Sequence, residues 1–311
     1  MARESWAAKG LLLANPRAGA RNADLIEAVA RHCEGWVGDL TVVRTEYPRH
    51  AEEAAAEAAG GGADVVIAVG GDGTTREVAS GLANAGPARP GTRDAALVNV
   101  PAGTGNSFYK QIWSDRPWRL ALDAALSGTE PRTRRVDLAR IEETGALALL
   151  GIGSGLIAEV TAEAARLTGI TGRQRYWTAL ERVLRCTEPY PGRVTVDGVR
   201  VCEGGIQLTN IGGGRYRGGR YRLLPRSVVD DGLLDICVAA GHPDLAGLLT
   251  LARDGRHVEC PEVVYAQGRT IVLERLDGRP LPLEHDGEPE RSDLSRCTVS
   301  VLAGALPVLA P

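Results

Sequence analysis

The first third of the chain alternates short apolar, β-branched runs with runs of helical composition, and this alternation constrains the fold most. We predict strands at 11–15, 41–45, 64–69 and 96–100, and helices at 22–33, 50–59 and 75–84. Strands that alternate with helices are typical of βαβ units around a parallel sheet. The sequence therefore predicts an α/β domain over residues 1–135.

Three of these strands end in loops rich in glycine and polar residues, at 15–19, 70–74 and 101–106. In parallel sheets, ligands bind outside the carboxyl ends of the strands. Glycines allow positive φ and a close approach to a ligand, and a helix that begins near Thr75 would offer free N–H groups to a phosphate. The three loops together predict a phosphate-binding edge.

Asp72 is unexpected beside phosphates because it would repel them. It fits if it acts through Mg²⁺ or a bound water, or if it receives a proton from an acceptor. The alternative is a tight turn in which Asp72 caps the helix. Asn106 has the same structural alternative as a cap of the next helix, and Arg17 is either a phosphate partner or a solvated arginine.

Bulk properties exclude several function classes. The formal net charge is −3, which argues against a dedicated nucleic-acid binder. The six cysteines form no C-x-x-C pair, so we expect free thiols in a reducing compartment. We expect no signal peptide and no membrane span. The motifs G-x-x-x-x-G-K-[ST], G-x-G-x-x-G, G-x-S-x-G and H-E-x-x-H are absent from the sequence.

After about residue 135 the pattern changes to many short strand-like runs with Gly-rich turns. We predict strands at 135–141, 146–152, 193–203, 205–210, 233–239, 262–266, 269–275 and 297–302, and helices at 156–167, 174–186 and 243–253. This texture favours an antiparallel β-sandwich or barrel-like second domain over residues 136–302.

Five segments occur in the order of a known family: NPRAG (15–19), GGDGTTREV (70–78), PAGTGNSF (101–108), DDGLLD (230–235) and DGEP (286–289). Together they resemble the diacylglycerol kinase catalytic family, which includes bacterial lipid kinases and sphingosine kinases. The resemblance implies an N-terminal α/β domain that binds ATP, rejoined by residues 303–311. It implies a C-terminal β-sandwich that contributes to the acceptor cleft.

The resemblance also implies site residues. The implied nucleotide contacts are Asn15, Pro16, Arg17, Ala18, Gly19, Thr45, Gly70, Gly71, Asp72, Gly73, Thr74, Thr75, Arg76 and Thr104. The family's general base matches Glu288, for which the residues alone also allow an exposed carboxylate in a turn. A structural Mg²⁺ would use the side chain of Asp231, or else Asp231 is a plain turn residue; the other implied ligands are carbonyls near Val228 and Leu233. Asp137 matches an acidic position that joins Asp72 in a Mg²⁺–water network.

Three departures from the family pattern concern the chemistry. Ser107 replaces the usual aspartate, which predicts weaker metal binding, and Arg76 replaces the usual asparagine. Tyr109, Trp113 and Trp118 follow the second loop, where they either line an altered acceptor pocket or pack in the core. The segment 215–222 interleaves arginines with tyrosines, which suits a lipid headgroup surface, or is an exposed hairpin.

We therefore predict an ATP- and Mg²⁺-dependent kinase of diacylglycerol or a similar lipid alcohol, active in phospholipid metabolism. Two alternatives stay open: a kinase of a soluble or secondary-metabolite hydroxyl, and a catalytically weak nucleotide-binding regulator. The expected location is the cytoplasm, with transient contact at a membrane surface, and a homodimer is an open alternative for the assembly.

Overall fold

The computed structural model describes residues 5–16, 22–86, 93–241, 244–290 and 293–311. The chain divides into two compact units. The first unit comprises Met1–Val136 and Gly304–Pro311, and the second comprises Asp137–Ala303. Each unit is described separately below.

The first unit is a parallel sheet with helices. Its strands are β1 (Lys9–Ala14), β2 (Asp39–Arg44), β3 (Val65–Gly70) and β4 (Ala96–Pro101). Its helices are α1 (Asn22–Cys33), α2 (His50–Gly60), α3 (Asp72–Asn84), α4 (Ser107–Trp113) and α5 (Trp118–Leu126). The strand order is β2-β1-β3-β4, and β4 also pairs with Val308 near the end of the chain. The predicted α/β fold class is confirmed.

The central strands of this sheet are apolar because both faces are covered, which is usual for parallel sheets. Every residue of β3 is buried, as are the last five of β1. The predicted starts at 22 and 50 agree with the structure, and α2 stops in the GGG run at 60–62, where Gly62 adopts a φ of 77°.

The second unit is rich in antiparallel strands. Its strands are β5 (Thr133–Ile141), β6 (Leu147–Ala148), β7 (Ile152–Gly155), β8 (Tyr190–Val196), β9 (Val199–Gly212), β10 (Leu234–Ala240), β11 (Val263–Gly268), β12 (Thr270–Arg275), β13 (Leu283–His285), β14 (Glu288–Glu290) and β15 (Arg296–Leu309), of which β5 and β15 begin or end in the first unit. Its helices are α6 (Leu156–Arg166), α7 (Gly172–Val183) and α8 (Leu245–Ala252), with a 3₁₀ turn at Arg256–Glu259.

The strands β14, β13, β7, β9, β8, β12 and β15 are neighbours in that order, and β10 joins β9 to β11. A core of Ile152, Ile211, Ile236 and Leu273 lies within this β-rich unit. A smaller apolar cluster that includes Leu208 and Cys237 contains residues of α6 and α8.

Three predicted strand assignments in this unit are wrong. The run at 193–203 is not one strand, because Asp197 and Gly198 both adopt positive φ and turn the chain between β8 and β9. Conversely, β9 continues through Gly204 and Gly205, where the prediction placed a break, because β8 pairs with it there. The run at 146–152 is also not one strand, since only Leu147–Ala148 and then Ile152 onward are extended.

Among the described residues, no helix has both the length and the apolar character needed to cross a membrane.

Candidate functional site

The three glycine- and polar-rich loops leave the first unit's sheet at one edge. The parallel register pairs Ala14 with Val69, and Gly70 with Pro101, so the loops begin side by side. The Asn15 N–H donates to the Val69 carbonyl at 3.1 Å, and the Ala102 N–H donates to the Gly70 carbonyl at 2.9 Å. Main-chain hydrogen bonds therefore continue from the strands into the loops.

The glycines of these loops are explained by close packing rather than by unusual backbone angles. Gly70, Gly71, Gly73 and Gly103 all lie outside the positive-φ region. A Cβ on Gly103 would lie 2.4 Å from the Gly71 Cα, and a Cβ on Gly70 would lie 2.5 Å from the Thr74 Cβ. Gly70 and Gly103 are thus required by contacts within the protein, and a Cβ on Gly71 would lie 3.1 Å from the Gly103 Cα.

Gly73 is the exception. It is exposed in the first turn of α3, and a Cβ built on it would meet no atom within 4 Å. A glycine near a helix start costs conformational entropy relative to alanine, roughly 0.5–1 kcal/mol in a helix interior. No contact among the described residues explains that cost, so Gly73 leaves room for a group from outside the chain.

Helix α3 begins at Asp72, and the predicted start near Thr75 is wrong. The predicted alternative of Asp72 as the cap of this helix is also wrong, because Gly71 occupies the N-cap position. Asp72 instead caps a different helix. Its Oδ2 accepts the Ser107 N–H at 3.0 Å and its Oδ1 accepts the Phe108 N–H at 3.1 Å.

This arrangement changes the interpretation of Asn106. Asn106 occupies the N-cap position of α4 in a left-handed conformation, with φ at 52°, but its side chain makes no cap bond. Its amide donates to the Gly103 carbonyl at 2.9 Å and its Oδ1 accepts the Gly103 N–H at 3.0 Å. Asn106 therefore closes its own loop, while Asp72 satisfies the start of α4.

Ser107 is fully buried at the contact with Asp72. An aspartate here, as in the family pattern, would place a second carboxyl group next to Asp72. Two neighbouring carboxylates stay ionised together only if a cation or several donors stabilise them. Serine removes that requirement, and the main-chain N–H groups of Ser107 and Phe108 donate to Asp72.

The remaining predicted nucleotide residues differ in exposure. Thr74 and Thr75 are buried: Thr74 Oγ1 accepts from the Asn15 amide at 3.4 Å, and Thr75 Oγ1 donates to the Gly71 carbonyl at 3.1 Å. Thr104 and Pro16 are exposed, and Thr45 and Arg76 are partly buried. Arg17, Ala18 and Gly19 lie outside the described residues.

In the second unit, Asp137 and Asp231 support one turn. Asp137 is buried on β5, where its N–H donates to the Val229 carbonyl at 2.8 Å and its Oδ2 accepts the Gly232 N–H at 2.7 Å. Asp231 is exposed, and its two oxygens accept from the Leu233 N–H at 3.0 Å and from the Gln267 amide at 2.9 Å. Asp137 thus fixes the turn that carries the predicted metal ligands.

The donor types at this turn fit a hard cation. The Asp231 carboxylate and the carbonyls of Val228 and Leu233 offer only oxygen, which Mg²⁺ prefers. Across the described part of the chain, no group of three or more His, Cys, Asp and Glu residues could hold a metal ion. An ion here would therefore depend on one carboxylate, main-chain carbonyls and water.

Asp235, which was not among the predicted site residues, is buried close to this turn on β10. Its Oδ1 accepts from the Tyr265 hydroxyl at 2.7 Å. Burial raises the pKa of the Asp235 carboxyl. The sequence signal that could have identified Asp235 is an acidic residue inside an apolar strand, because a buried acidic residue needs a partner.

Glu288 follows a tight turn and is exposed at the start of β14. Asp286 and Gly287 form the turn with φ values of 49° and 86°. The buried Asp286 carboxylate accepts three N–H groups, from Leu149, Leu150 and Gly151, at 2.7, 2.8 and 2.9 Å. The main chain before Glu288 is therefore fixed, and Glu288 itself is an exposed residue.

The arginine- and tyrosine-rich segment at 215–222 is not a continuous basic surface. The Arg217 side chain is only 10% exposed, and the Arg215 Nε donates to the Ser227 carbonyl at 2.9 Å. The sequence left open a lipid headgroup surface or an exposed hairpin for this segment, and the burial of Arg217 contradicts both for that residue. Tyr109 and Trp113 are buried, which agrees with core packing, whereas Trp118 is partly exposed.

Comparison with known proteins gives two family matches that together span most of the chain. Residues 9–141 match the diacylglycerol kinase catalytic domain, and residues 151–310 match the YegS C-terminal NAD kinase beta sandwich-like domain. A Pseudomonas fluorescens protein named "probable lipid kinase YegS-like" is 32% identical over 296 residues, covering 94% of this chain and 92% of that protein.

Two further relatives agree with these matches. A Mycobacterium tuberculosis protein named diacylglycerol kinase is 31% identical over 248 residues, covering 73% of this chain and 75% of that protein. A crystal structure of a diacylglycerol kinase from Bacillus anthracis has the same fold, with a TM-score of 0.72 at 21% identity, covering 99% of this chain and 98% of that one.

Proposed function

Because this chain belongs to the diacylglycerol kinase catalytic-domain family, we propose that it transfers the γ-phosphoryl group of ATP to the hydroxyl of diacylglycerol or a similar lipid alcohol. The relatives of this family are kinases, which supports a phosphotransferase activity. The identity of the acceptor, the use of ATP and Mg²⁺, and the roles of individual residues are part of the proposal.

The exposed Gly73 at the start of α3 is the observation that carries the nucleotide half of the proposal. The first N–H groups of a helix lack partners within the helix and favour an anion. A side chain at residue 73 would cover them, and no contact among the described residues requires a glycine there. A phosphate group of ATP accounts for both features.

The three loops then divide the binding of the nucleotide. The first loop, with Asn15, Pro16 and residues 17–19, follows β1. The second loop starts at Gly70, the last residue of β3, and continues to Arg76. Thr104 lies in the third loop, after β4. We assign the exposed groups, Gly73 and Thr104, to direct contact with phosphates. The buried Thr74 and Thr75 keep the loop in shape, and Thr45 borders the neighbouring strand end.

Phosphoryl transfer needs positioning and charge neutralisation more than covalent chemistry by the protein. Mg²⁺ would neutralise the phosphate oxygens when it binds with ATP. We propose that Asp72 orients water on that ion, and that Asp231 with the carbonyls of Val228 and Leu233 holds a structural Mg²⁺. The membership of Asp137 in a Mg²⁺–water network stays a prediction.

Glu288 is the proposed general base. The acceptor hydroxyl oxygen bonds to the γ-phosphorus as the bond to the β,γ-bridging oxygen breaks, so ADP leaves and the hydroxyl proton passes to the Glu288 carboxylate. Its exposure supports this role because an acceptor can reach it. General-base catalysis contributes roughly 10²- to 10⁴-fold to a rate.

The acceptor is proposed from the names of the relatives, which are called lipid kinases or diacylglycerol kinase. A diacylglycerol resides in bilayers, so the enzyme would meet it at a membrane surface. The phosphorylated product would belong to phospholipid metabolism.

The test uses the purified chain with γ-labelled ATP, with Mg²⁺ or with EDTA, and with either diacylglycerol in mixed micelles or glycerol in water. We expect label in the lipid phase only when Mg²⁺ is present. Label confined to a water-soluble product would replace the lipid acceptor by a soluble one, and absence of transfer with ATP still bound would leave a nucleotide-binding regulator.

Glu288→Gln tests the base in the same assay. We expect a loss of roughly 10²- to 10⁴-fold in kcat. Glu259→Gln is the matched control because Glu259 is also an exposed carboxylate, 70% accessible, in the same unit. If Glu288→Gln turned over as fast as the control, Glu288 would not be the base.

A further inference from the structure

A buried ionic cluster holds the hairpin that carries Glu288. We name Arg217, Glu284 and Asp286 the turn clamp. We propose that Arg217 and Glu284 are positioning residues for Glu288, which they fix through the main chain of the turn at 286–287. This inference rests on the proposed function, because it concerns the geometry of the proposed base.

Glu284 binds the main chain of the turn by a hydrogen bond from within the hairpin. It lies on β13 one residue before His285, which pairs with Glu288 across the hairpin. Its side chain is fully buried, and its Oε2 accepts the Gly287 N–H at 2.8 Å. The carboxylate thus holds the residue immediately before the proposed base.

Arg217 joins this carboxylate to the neighbouring loop. One guanidinium nitrogen, Nη2, donates to Glu284 Oε1, and the other, Nη1, donates to the Gly151 carbonyl at 3.0 Å. The same Gly151 carbonyl accepts the Asp286 N–H at 3.0 Å. Because a guanidinium is a rigid planar fork, the two bonds fix the distance between the hairpin and the loop.

The main chain of the segment 215–222 forms a closed turn that positions Arg217. The Arg217 N–H donates to the Tyr221 carbonyl at 2.8 Å, and the Tyr221 N–H donates back to the Arg217 carbonyl at 3.0 Å. Between them, Gly218 and Gly219 have φ values of 56° and 72°, which favour glycine. This small closed loop gives the basic segment a function inside the protein.

The fold also makes room for the Glu284 carboxylate. Gly153 on β7 is the register partner of Glu284, and a Cβ built on Gly153 would lie 2.5 Å from Glu284 Oε1. Any other residue at this position would push the carboxylate off its partners. Gly153 and Glu284 are therefore matched to each other.

The charges of the turn clamp are separately compensated. Asp286 accepts three main-chain N–H groups and lies 3.8 Å from the guanidinium, so Arg217 serves mainly Glu284. Burial raises the pKa of the Glu284 carboxyl, and the nearby guanidinium opposes that rise. Removing one partner would leave a buried charge without its counterion.

Buried ion pairs add little stability over apolar residues of similar volume, while loss of one partner is strongly unfavourable. A purely structural pair could therefore be replaced on both sides without functional loss. A positioning pair could not, because the bonds to the Gly287 N–H and the Gly151 carbonyl set where Glu288 lies. This contrast gives the test.

The experiment compares Arg217→Met, Glu284→Met and the double variant in the kinase assay with diacylglycerol micelles, alongside thermal unfolding. We expect both single variants to lower Tm and to lower kcat by about 10- to 100-fold, the range that small misplacements produce. The KM for ATP should stay within about twofold, since a shift of the base alone leaves nucleotide binding untouched. The double variant should recover Tm but not kcat.

Two results would overturn the inference: recovery of kcat together with Tm in the double variant, or wild-type kcat in all three. Glu203→Gln is the matched control, because Glu203 forms an exposed ion pair with Arg193 at 2.8 Å and should change neither Tm nor kcat. If a single variant failed to fold, Arg217→Lys would replace it, since lysine keeps the charge but cannot serve both partners in the same fork geometry.

Hydrogen exchange gives a readout independent of turnover. The amides of Leu149, Leu150, Gly151 and Gly287 should exchange faster in Glu284→Met and in the double variant, and unchanged exchange there would overturn the clamp. Glu288→Gln, assayed in parallel, separates the two proposals. If it keeps the wild-type rate, the proposed base fails and the inference fails with it; if it alone loses activity, only the inference fails.

Discussion

Gly73 and Gly103 belong to adjoining glycine-rich loops, but alanine at each should have opposite effects on stability. At Gly103 a Cβ would lie 2.4 Å from the Gly71 Cα, a main-chain atom that can move only if the loop moves. Overpacking of this kind costs about 1–3 kcal/mol. At Gly73 a Cβ meets nothing within 4 Å, so alanine should leave stability unchanged or raise it by about 0.4–1 kcal/mol.

The effect on nucleotide binding should separate from the effect on stability. In Gly73→Ala the methyl group occupies the space that we assign to a phosphate, and a clash worth about 1–3 kcal/mol weakens binding by roughly 5- to 150-fold. The expected pattern for Gly73→Ala is therefore an unchanged or raised Tm together with a raised Kd for MgATP. Gly103→Ala should lower both Tm and affinity.

Calorimetric titration with MgATP and thermal unfolding by circular dichroism measure the two quantities on the same preparations. A Tm loss in Gly73→Ala equal to that of Gly103→Ala would refute the packing argument. A wild-type Kd in Gly73→Ala would refute the assignment of that space to a phosphate, and with it the observation that carries the proposed function.

Two other predictions concern buried polar groups. Asp72→Ala should destabilise the first unit by about 1–2 kcal/mol, because two N–H groups of α4 lose their acceptor. Asp72→Asn should destabilise it less. Equal stability of the two variants in urea unfolding would contradict the capping role. Burial lowers the pKa of His257 below its unfolded value of about 6.5, so the unfolded state binds the proton more readily and wild-type stability should fall as pH drops below about 6.5. The His257 Nε2 lies 3.2 Å from the Leu223 carbonyl oxygen, to which a glutamine amide can also donate. His257→Gln should therefore lose less stability over that range, and parallel Tm curves from pH 7 to 5 would refute this.

Much of the first unit could be predicted because its signals are local. The strands β1, β3 and β4 are apolar runs buried on both faces, and the helix starts at 22 and 50 agree with the structure. The start of α3 was predicted too late because Gly73 has low helix propensity, whereas the structure uses that glycine inside the first helical turn.

The errors in the second unit have two different causes. The turn at Asp197–Gly198 has an Asp-Gly pair, a recognised hairpin signal that the prediction of one strand at 193–203 overlooked. The continuity of β9 through Gly204 and Gly205 has no such signal, because it depends on pairing with β8 across the hairpin.

The contacts that define the site are long-range, which is why local patterns did not reveal them. Asp72 meets the amides of α4 from 35 and 36 residues away, and Arg217 meets Glu284 across 67 residues. The sequence identified Asp72 and Glu288 as candidates by their motifs. It could not show that Asp72 caps α4 or that Arg217 is buried, because both depend on how strands and loops assemble.

The contact between Gly71 and Gly103, together with the Asp72 cap on α4, has a consequence for attempts to change nucleotide preference. The two loops are in main-chain contact at Gly71 and Gly103, so a loop copied alone from another kinase would pack against a partner loop of the wrong shape. Grafts should therefore exchange residues 70–76 and 101–108 as one cassette. Gly73, which is exposed and where an added Cβ would meet no atom within 4 Å, is the position of these two loops at which a single substitution leaves the contact between Gly71 and Gly103 undisturbed.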